Sequence, residues 1–403
     1  MTKKLSILQL CNKPPFPPMD GGAIGMHNVS QGIIDAGHQL KILSFSSNKH
    51  RLDIDKLPKD YIKSTGIEAV DIDLSIRILP ALYNLLYSRN SYNISRFNSK
   101  EMQFKLKELL SKESFDIIQL ESIFLKDYLP LIRKFSQAKV VLRAPNVEFV
   151  IWQRLAQIEK NPIKRFYLSI LAKRLRKEEV AALNSFDAIY TVTERDMQLM
   201  RSLGATVKMT FIPTGVDVNK DLTTDFDAVE YPSVFHLGAL DWSPNIEGVK
   251  WMLNQVWPSL HGRFPKLKFY IAGRRPPQWL QELKEDGVVV VGEVEDAGAF
   301  IKSKAIMPVP LFSGSGMRVK IIEAMMLQKA VVSTGIGIEG IIHENGENVL
   351  IANDATAFID SIALLVENKD LYRRIAINAK YNANKFYSNK VLNAKLMEFF
   401  YSL

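Results

Sequence analysis

The chain has 403 residues, 47% of them apolar, which is enough for two domains with a core each and excludes a disordered polymer. Its single cysteine, Cys11, excludes an internal disulfide and a cysteine-rich metal site, which fits a reducing compartment. The net charge of +9 is uneven, with 33 Lys+Arg against 22 Asp+Glu in residues 1–220 and 19 against 21 in the remainder.

The basic first half points to an acidic partner or to a solubilising surface. Nucleic acid is not the expected partner, because the aromatic platforms and helix-turn-helix pattern it would require are missing. Met1–Leu10 is too short and polar for a secretory signal, and no run of 18 apolar residues is present. The expectation is a cytoplasmic protein, free or peripheral on the inner face of the cytoplasmic membrane.

Lys4–Leu10 reads as a strand, and Asn12–Gly22 as a loop crowded with Pro and Gly. Ile24, Met26, Val29, Ile33 and Ile34 then recur at helical spacing until Gly37. Further strands are expected at Leu40–Phe45, Asp116–Leu120, Lys139–Leu142 and Ala188–Thr191, with helices between them. Gly215–Ser233 has the composition of a linker. Beyond it come strands at Val234–Leu237, Leu267–Ala272, Val288–Val291, Ala305–Val309 and Ala330–Ser333. Such alternation predicts an α/β protein with two doubly wound, Rossmann-like domains, spanning 1–220 and 221–387. A last helix near Asn389–Ser402, within a segment 388–403, is expected to cross back onto the first domain.

Ligands of open α/β sheets bind beyond the carboxyl ends of the strands. Gly21 and Gly22 open the first helix, where free amides can meet an anion, although a structural turn explains them equally well. The segment Ser313-Gly314-Ser315-Gly316-Met317-Arg318-Val319-Lys320 is more specific. Its small residues lead into a helix read as starting at Met317, whose amides can cradle phosphate while Arg318 and Lys320 add positive charge. Gly316, Lys320 and Glu323 fall at i, i+4 and i+7 and so share one face. Glu323 is placed to accept hydrogen bonds from a ribose diol, or else to pair with Lys320 on a solvated face.

This second-domain segment resembles the retaining GT-B glycosyltransferases of family 4, a likeness that covers essentially the whole chain and is densest from Phe235 to Glu339. The family's signature is a Glu, seven residues and a second Glu. Glu323 matches the second, which the resemblance places on the donor ribose, and Ser315 stands where the first is expected. The sequence therefore resembles a variant in which Gly316, Met317, Arg318 and Lys320 face the donor sugar and its diphosphate. Gly238 matches the family's strand-loop glycine, followed by Ala239 and Asn245 where Arg and Lys are common.

In the first domain, Arg143-Ala144-Pro145-Asn146-Val147-Glu148 resembles a segment that often carries His where Pro145 stands. Asn146, Glu148 and His27 are candidate contacts to sugar or acceptor, and Glu339 is a candidate lining residue of the donor site. The resemblance implies a transferase acting in a cleft between the domains on a UDP- or GDP-sugar, with retention and without an obligatory metal. The acceptor would be a glycan or a lipid-linked molecule. A nucleotide-sugar epimerase of the same fold, or a silent nucleotide-sugar binder, are the rivals.

Asp53-Ile-Asp55 and Asp71-Ile-Asp73 resemble metal-binding Asp-x-Asp pairs of another fold, but are read here as solvated loops. Between Ile158 and Glu179, seven Lys and Arg interleave with apolar residues, which suits either an anionic lipid surface or packing within the domain. The aromatic-rich stretch Leu79–Phe97 is a second candidate contact.

Overall fold

In β1 (Ser6–Cys11), Leu8 and Leu10 enter one apolar cluster and Ile7 and Cys11 another, all four fully buried. A strand whose two faces are both covered is what a parallel sheet with helices on either side requires. The computed structural model describes residues 3–75, 78–88, 90–216, 225–313 and 317–403, without the side chains of Ile78, Ala81 and Leu82. The chain divides into two units, one running to Thr214 and including Leu392–Leu403, the other Gly215–Val391.

The first unit holds seven parallel strands in the order β3-β2-β1-β4-β5-β6-β7. The remaining six are β2 (Gln39–Ser47), β3 (Glu68–Ile72), β4 (Ile117–Leu120), β5 (Lys139–Ala144), β6 (Ala188–Thr191) and β7 (Lys208–Phe211). The second unit holds six, in the order β10-β9-β8-β11-β12-β13. These are β8 (Val234–Leu237), β9 (Phe269–Ala272), β10 (Val288–Gly292), β11 (Ile306–Val309), β12 (Ala330–Ser333) and β13 (Leu350–Ile351). Strand order reverses between β1 and β4 in the first sheet and between β8 and β11 in the second, the switch points at which such sheets bind ligands.

The edge strands β3, β7 and β13 were not expected from the sequence. Asp71, read above as part of a solvated loop, is an exposed residue of β3, and the edge position lets a strand carry it. Ile54–Lys56 forms a single 3-10 turn in which Asp53 pairs with Lys56 at 3.0 Å. Among the described residues no group of three acidic, His or Cys side chains could hold a metal ion. None of the described helices is long and apolar enough to cross a membrane.

The helix Asn389–Tyr401 contributes Leu392, Leu396, Met397, Phe399 and Phe400 to a first-unit cluster that includes Ile7, Val141 and Tyr190. His38 secures it: its Nδ1 accepts from the Leu5 amide at 3.2 Å, and its Nε2 lies 3.2 Å from the Tyr401 hydroxyl.

In the second unit Lys329 is fully buried, and its Nζ donates to the Lys302 carbonyl at 2.8 Å. Burial first, then the neighbouring Lys302, lowers its ammonium to about 7. An unfolded lysine titrates near ~10.4, so between about 7 and ~10.4 the unfolded chain holds a proton that the native state lacks. Stability from this group therefore rises with pH across that window, and the burial penalty is fully present below it. Lys329→Met should stabilise the protein at pH 6 by about 2 kcal/mol, seen as a raised melting temperature, once the lost hydrogen bond is set against the relieved penalty. Melts at pH 6 and pH 9 check this. A difference from wild type that is equal at both values would refute it.

Candidate functional site

The second unit's switch point gathers Gly238, Met317, Arg318, Lys320 and Glu323 of the sequence-predicted donor residues. Ile306 pairs with Val234 and Leu237 with Ala272, so β8, β9 and β11 end level with one another and their loops emerge together. The loops are held close. The Gly238 amide donates to the Ala272 carbonyl at 3.1 Å, and the Leu240 amide to that of Arg274 at 3.0 Å.

Gly273 adopts φ +155°, and a Cβ there would stand 1.7 Å from the Gly238 carbonyl oxygen. Only glycine fits that approach. A Cβ on Gly238 would in turn meet Asn245 at 2.6 Å and the His236 Nε2 at 2.7 Å. The Asn245 side chain donates to the Ala239 carbonyl at 2.9 Å. The residue standing where a phosphate-binding Lys is common thus braces the loop.

The helix after β11 runs Val319–Met326 and buries Ile321, Ile322, Ala324, Met325 and Met326. It starts two residues later than the sequence suggested. Met317 precedes it, and Arg318 is the capping residue at φ −91°, ψ 88° with no side-chain cap bond. Gly314, Ser315 and Gly316 lie outside the described residues, so the expected sharing of a face with Gly316 is not addressed by the structure. Lys320 and Glu323, at i and i+3 in this helix, remain on one face.

Lys320 is reached by solvent yet crowded by protein. Desolvation is the largest influence and lowers its ammonium, opposed by Glu323 and reinforced by Arg274. Glu323 is half-buried, and desolvation raises its carboxyl against the attraction of Lys320. The Arg318 guanidinium lies 5.6 Å from the centre of the Trp242 ring, in the β8 loop. Ser313 donates to Glu247 of the helix Ser243–Trp251 at 3.3 Å, which ties the two loops together.

Two members of this group escaped sequence reasoning. His236, the third residue of β8, is buried with its Nε2 unpartnered among the described residues. Burial, then Lys320, drives its imidazole down to about 3, so it is neutral at any working pH. Arg274, just past β9, reaches the same field. A histidine one residue before a strand's last position was the available signal. Glu339 lies farther along, half-buried in the turn after β12, where the Thr334 hydroxyl accepts from the Gly337 amide at 2.9 Å.

The first-unit candidates form separate local groups. Asp20 caps the helix Gly21–Asp35, accepting from the Ala23 amide at 2.9 Å and pairing with Lys13 at 2.6 Å. A carboxylate therefore already sits at the amino end that Gly21 and Gly22 open. His27 is packed against Phe16 and Tyr61 at ring separations of 5.3 and 5.9 Å, and burial lowers its imidazole.

The Asn146 amide lies 3.5 Å from the Glu148 carboxylate. Burial raises Glu148 to about 7. Glu179, itself pushed by burial to about 8, accepts from the amides of Glu148 and Phe149 at 3.1 Å each. Beneath these lies a network not foreseen at all. Arg143 pairs with Glu121 at 3.0 Å, and the Gln9 and Gln119 side-chain amides also donate to Glu121.

Residues 231–368 match the family model described as glycosyl transferases group 1. Over 398 residues the chain is 24% identical to a 44.6 kDa Klebsiella pneumoniae protein of the cps region, covering 93% of this chain and 96% of that one. Solved structures of like fold include Anabaena Alr3699/HepE in complex with UDP, at TM-score 0.67 and 13% identity, with 99% of this chain and 100% of that one covered. Sucrose-phosphate synthase from Thermosynechococcus elongatus superposes at TM-score 0.69 and 14% identity, over 98% of both chains. The fold is the GT-B pair of Rossmann-like α/β domains.

Proposed function

We propose that this chain is a glycosyltransferase that takes a sugar from a nucleotide-diphosphate donor held by its second unit. The observation that carries the reading is the placement of Lys320 and Glu323 on one face of the helix after β11, beside the Gly238 loop, at the sheet's switch point. The family match over residues 231–368 encloses all of these residues. A UDP-sugar is the preferred donor, because Anabaena HepE, a structure of the same fold, carries UDP. A GDP-sugar is the alternative, and the acceptor class proposed is a glycan or a lipid-linked molecule.

In this reading Glu323 accepts hydrogen bonds from the ribose hydroxyls, while Arg318 and Lys320 face the diphosphate. The bond from anomeric carbon to phosphate oxygen breaks, leaving negative charge on the diphosphate and positive character on the sugar. Lys320, Arg318 and the opening amides of the 319–326 helix stabilise that leaving charge. The acceptor oxygen bonds to the anomeric carbon on the face the diphosphate leaves, and its proton passes to a phosphate oxygen. Retention follows from that same-face course, and no metal is required.

Glu323→Ala should weaken UDP binding by about tenfold or more, the value of a hydrogen bond to a charged group. Isothermal titration with UDP measures it, and an unchanged affinity would refute the ribose assignment. The reaction class is tested by incubating a nucleotide-sugar panel with and without glycan acceptors. Donor isomerised without transfer, or saturable binding with no nucleotide release, would overturn the transferase reading.

A further inference from the structure

The helices Glu148–Ile158 and Pro162–Ala182 pack as a hairpin, with the short turn between them at residues 159–161. Where they face each other the residues are small: Ala156 on one, Ser169 and Ala172 on the other. Small side chains at a helix interface leave room, and here they leave an open cavity of about 510 Å³ floored by Phe149. That volume lies in the range of small-ligand sites.

The cavity's charge has one sign. Arg165, Lys173 and Arg176 line it together with Gln153 and Gln157, and no carboxylate does. Arg165, Ser169, Lys173 and Arg176 recur at helical spacing, so they present one face to the opening. Among the described residues none of the three cations is paired with an acid. The neighbouring cations differ, since Lys164 binds Glu159 at 2.6 Å and Arg174 donates to the Asn84 and Leu85 carbonyls.

Beside this basic opening, three large apolar side chains near the hairpin's tip are uncovered. Ile158, Ile163 and Phe166 are 66%, 81% and 67% exposed. Through Arg174 the same helix holds the neighbouring helix Ile78–Tyr87, whose Tyr83, Leu86 and Tyr87 also face solvent. Exposed large apolar side chains next to cations without an acidic partner suit a surface that offers phosphate and hydrocarbon within a few ångströms of each other.

We infer that the cavity between these two helices is a binding site for the phosphate-bearing headgroup of an anionic membrane lipid. Arg165, Lys173 and Arg176 hold the phosphate, and Ile158, Ile163 and Phe166 enter the acyl boundary. A free sugar phosphate or glycerol phosphate would satisfy the three cations but leaves the apolar tip without a role. The site lies wholly in the first unit and stands apart from the donor assignment.

The test is sedimentation of the full chain with vesicles of phosphatidylcholine alone, or of phosphatidylcholine and phosphatidylglycerol in equal parts. The chain should sediment with the mixed vesicles only. Removing the three cations together (Arg165→Gln, Lys173→Gln, Arg176→Gln) should weaken this about a hundredfold, at roughly fivefold per charge near an anionic surface. Ser169→Leu keeps every charge and fills the cavity, and should weaken binding about tenfold, the order expected when a charge-assisted contact is lost. Lys160→Gln with Lys177→Gln, one in the turn and one on the helix but both outside the cavity, should cost less than Arg165→Gln with Lys173→Gln. All variants should keep wild-type affinity for UDP, which separates failure here from failure of the donor site. Equal binding to both vesicle types, indifference to Ser169→Leu, or capture of glycerol phosphate without vesicle binding would each overturn the inference.

Discussion

Lys320→Met is expected to lower donor turnover by about 10²–10³-fold, the usual cost of removing one preorganised donor from a developing oxyanion. The replacement keeps much of the side chain's length and removes only the ammonium. Because Lys320 is exposed before ligand arrives, stability should stay within about 0.5 kcal/mol of wild type. The loss should fall mainly on kcat, since charge on the diphosphate grows as the glycosidic bond breaks. Nucleotide release from a saturating UDP-sugar, measured alongside thermal melts, decides the matter. A folded Lys320→Met variant with undiminished kcat would remove the residue from the chemistry.

Arg143→Met should destabilise the first unit by about 3–5 kcal/mol, because it leaves a buried carboxylate without its counter-charge. Glu121 is 1% exposed and Arg143 3% exposed, with 3.0 Å between guanidinium nitrogen and carboxylate oxygen. The Gln9 and Gln119 amides would remain on Glu121 but carry no net charge. The guanidinium also lies close to the first helix, since a Cβ on Gly25 would stand 2.2 Å from its Nη2. Combining Arg143→Met with Glu121→Gln should recover much of the loss, as neutralising both members of a buried pair often does. Denaturant titration checks both variants. A loss below about 1 kcal/mol in the single variant would show that the carboxylate is not held as an ion.

The central strands were legible because apolar residues on both faces of a parallel strand make a continuous run. Ala188–Thr191, Val234–Leu237 and Ala330–Ser333 have the bounds that pattern implied. Three of the four edge strands lack it: in β3 only Val70 is buried, in β7 only Met209, and β13 has two residues.

At the donor site, the one-face placement of Lys320 and Glu323 could be read from spacing, whereas the helix's start could not. Arg318 leaves helical geometry and stacks near Trp242, a partner 76 positions earlier that no local pattern reveals. The Gln9–Gln119–Glu121–Arg143 network was hidden for a related reason. Its members meet only through the register of three strands, in which Gln9 pairs with Gln119 and Gln119 with Val141. Polar residues inside apolar runs read singly as noise and together as a buried circuit.

The closing helix has a bearing on how the protein comes into being. Five of its side chains complete a core otherwise formed by the first 212 residues, so that core stays open while the whole second unit is being translated. A nascent amino-terminal portion would meanwhile show an unfilled apolar groove around Ile7 and Tyr190. Folding of the first sheet thus waits on residues made after the second unit.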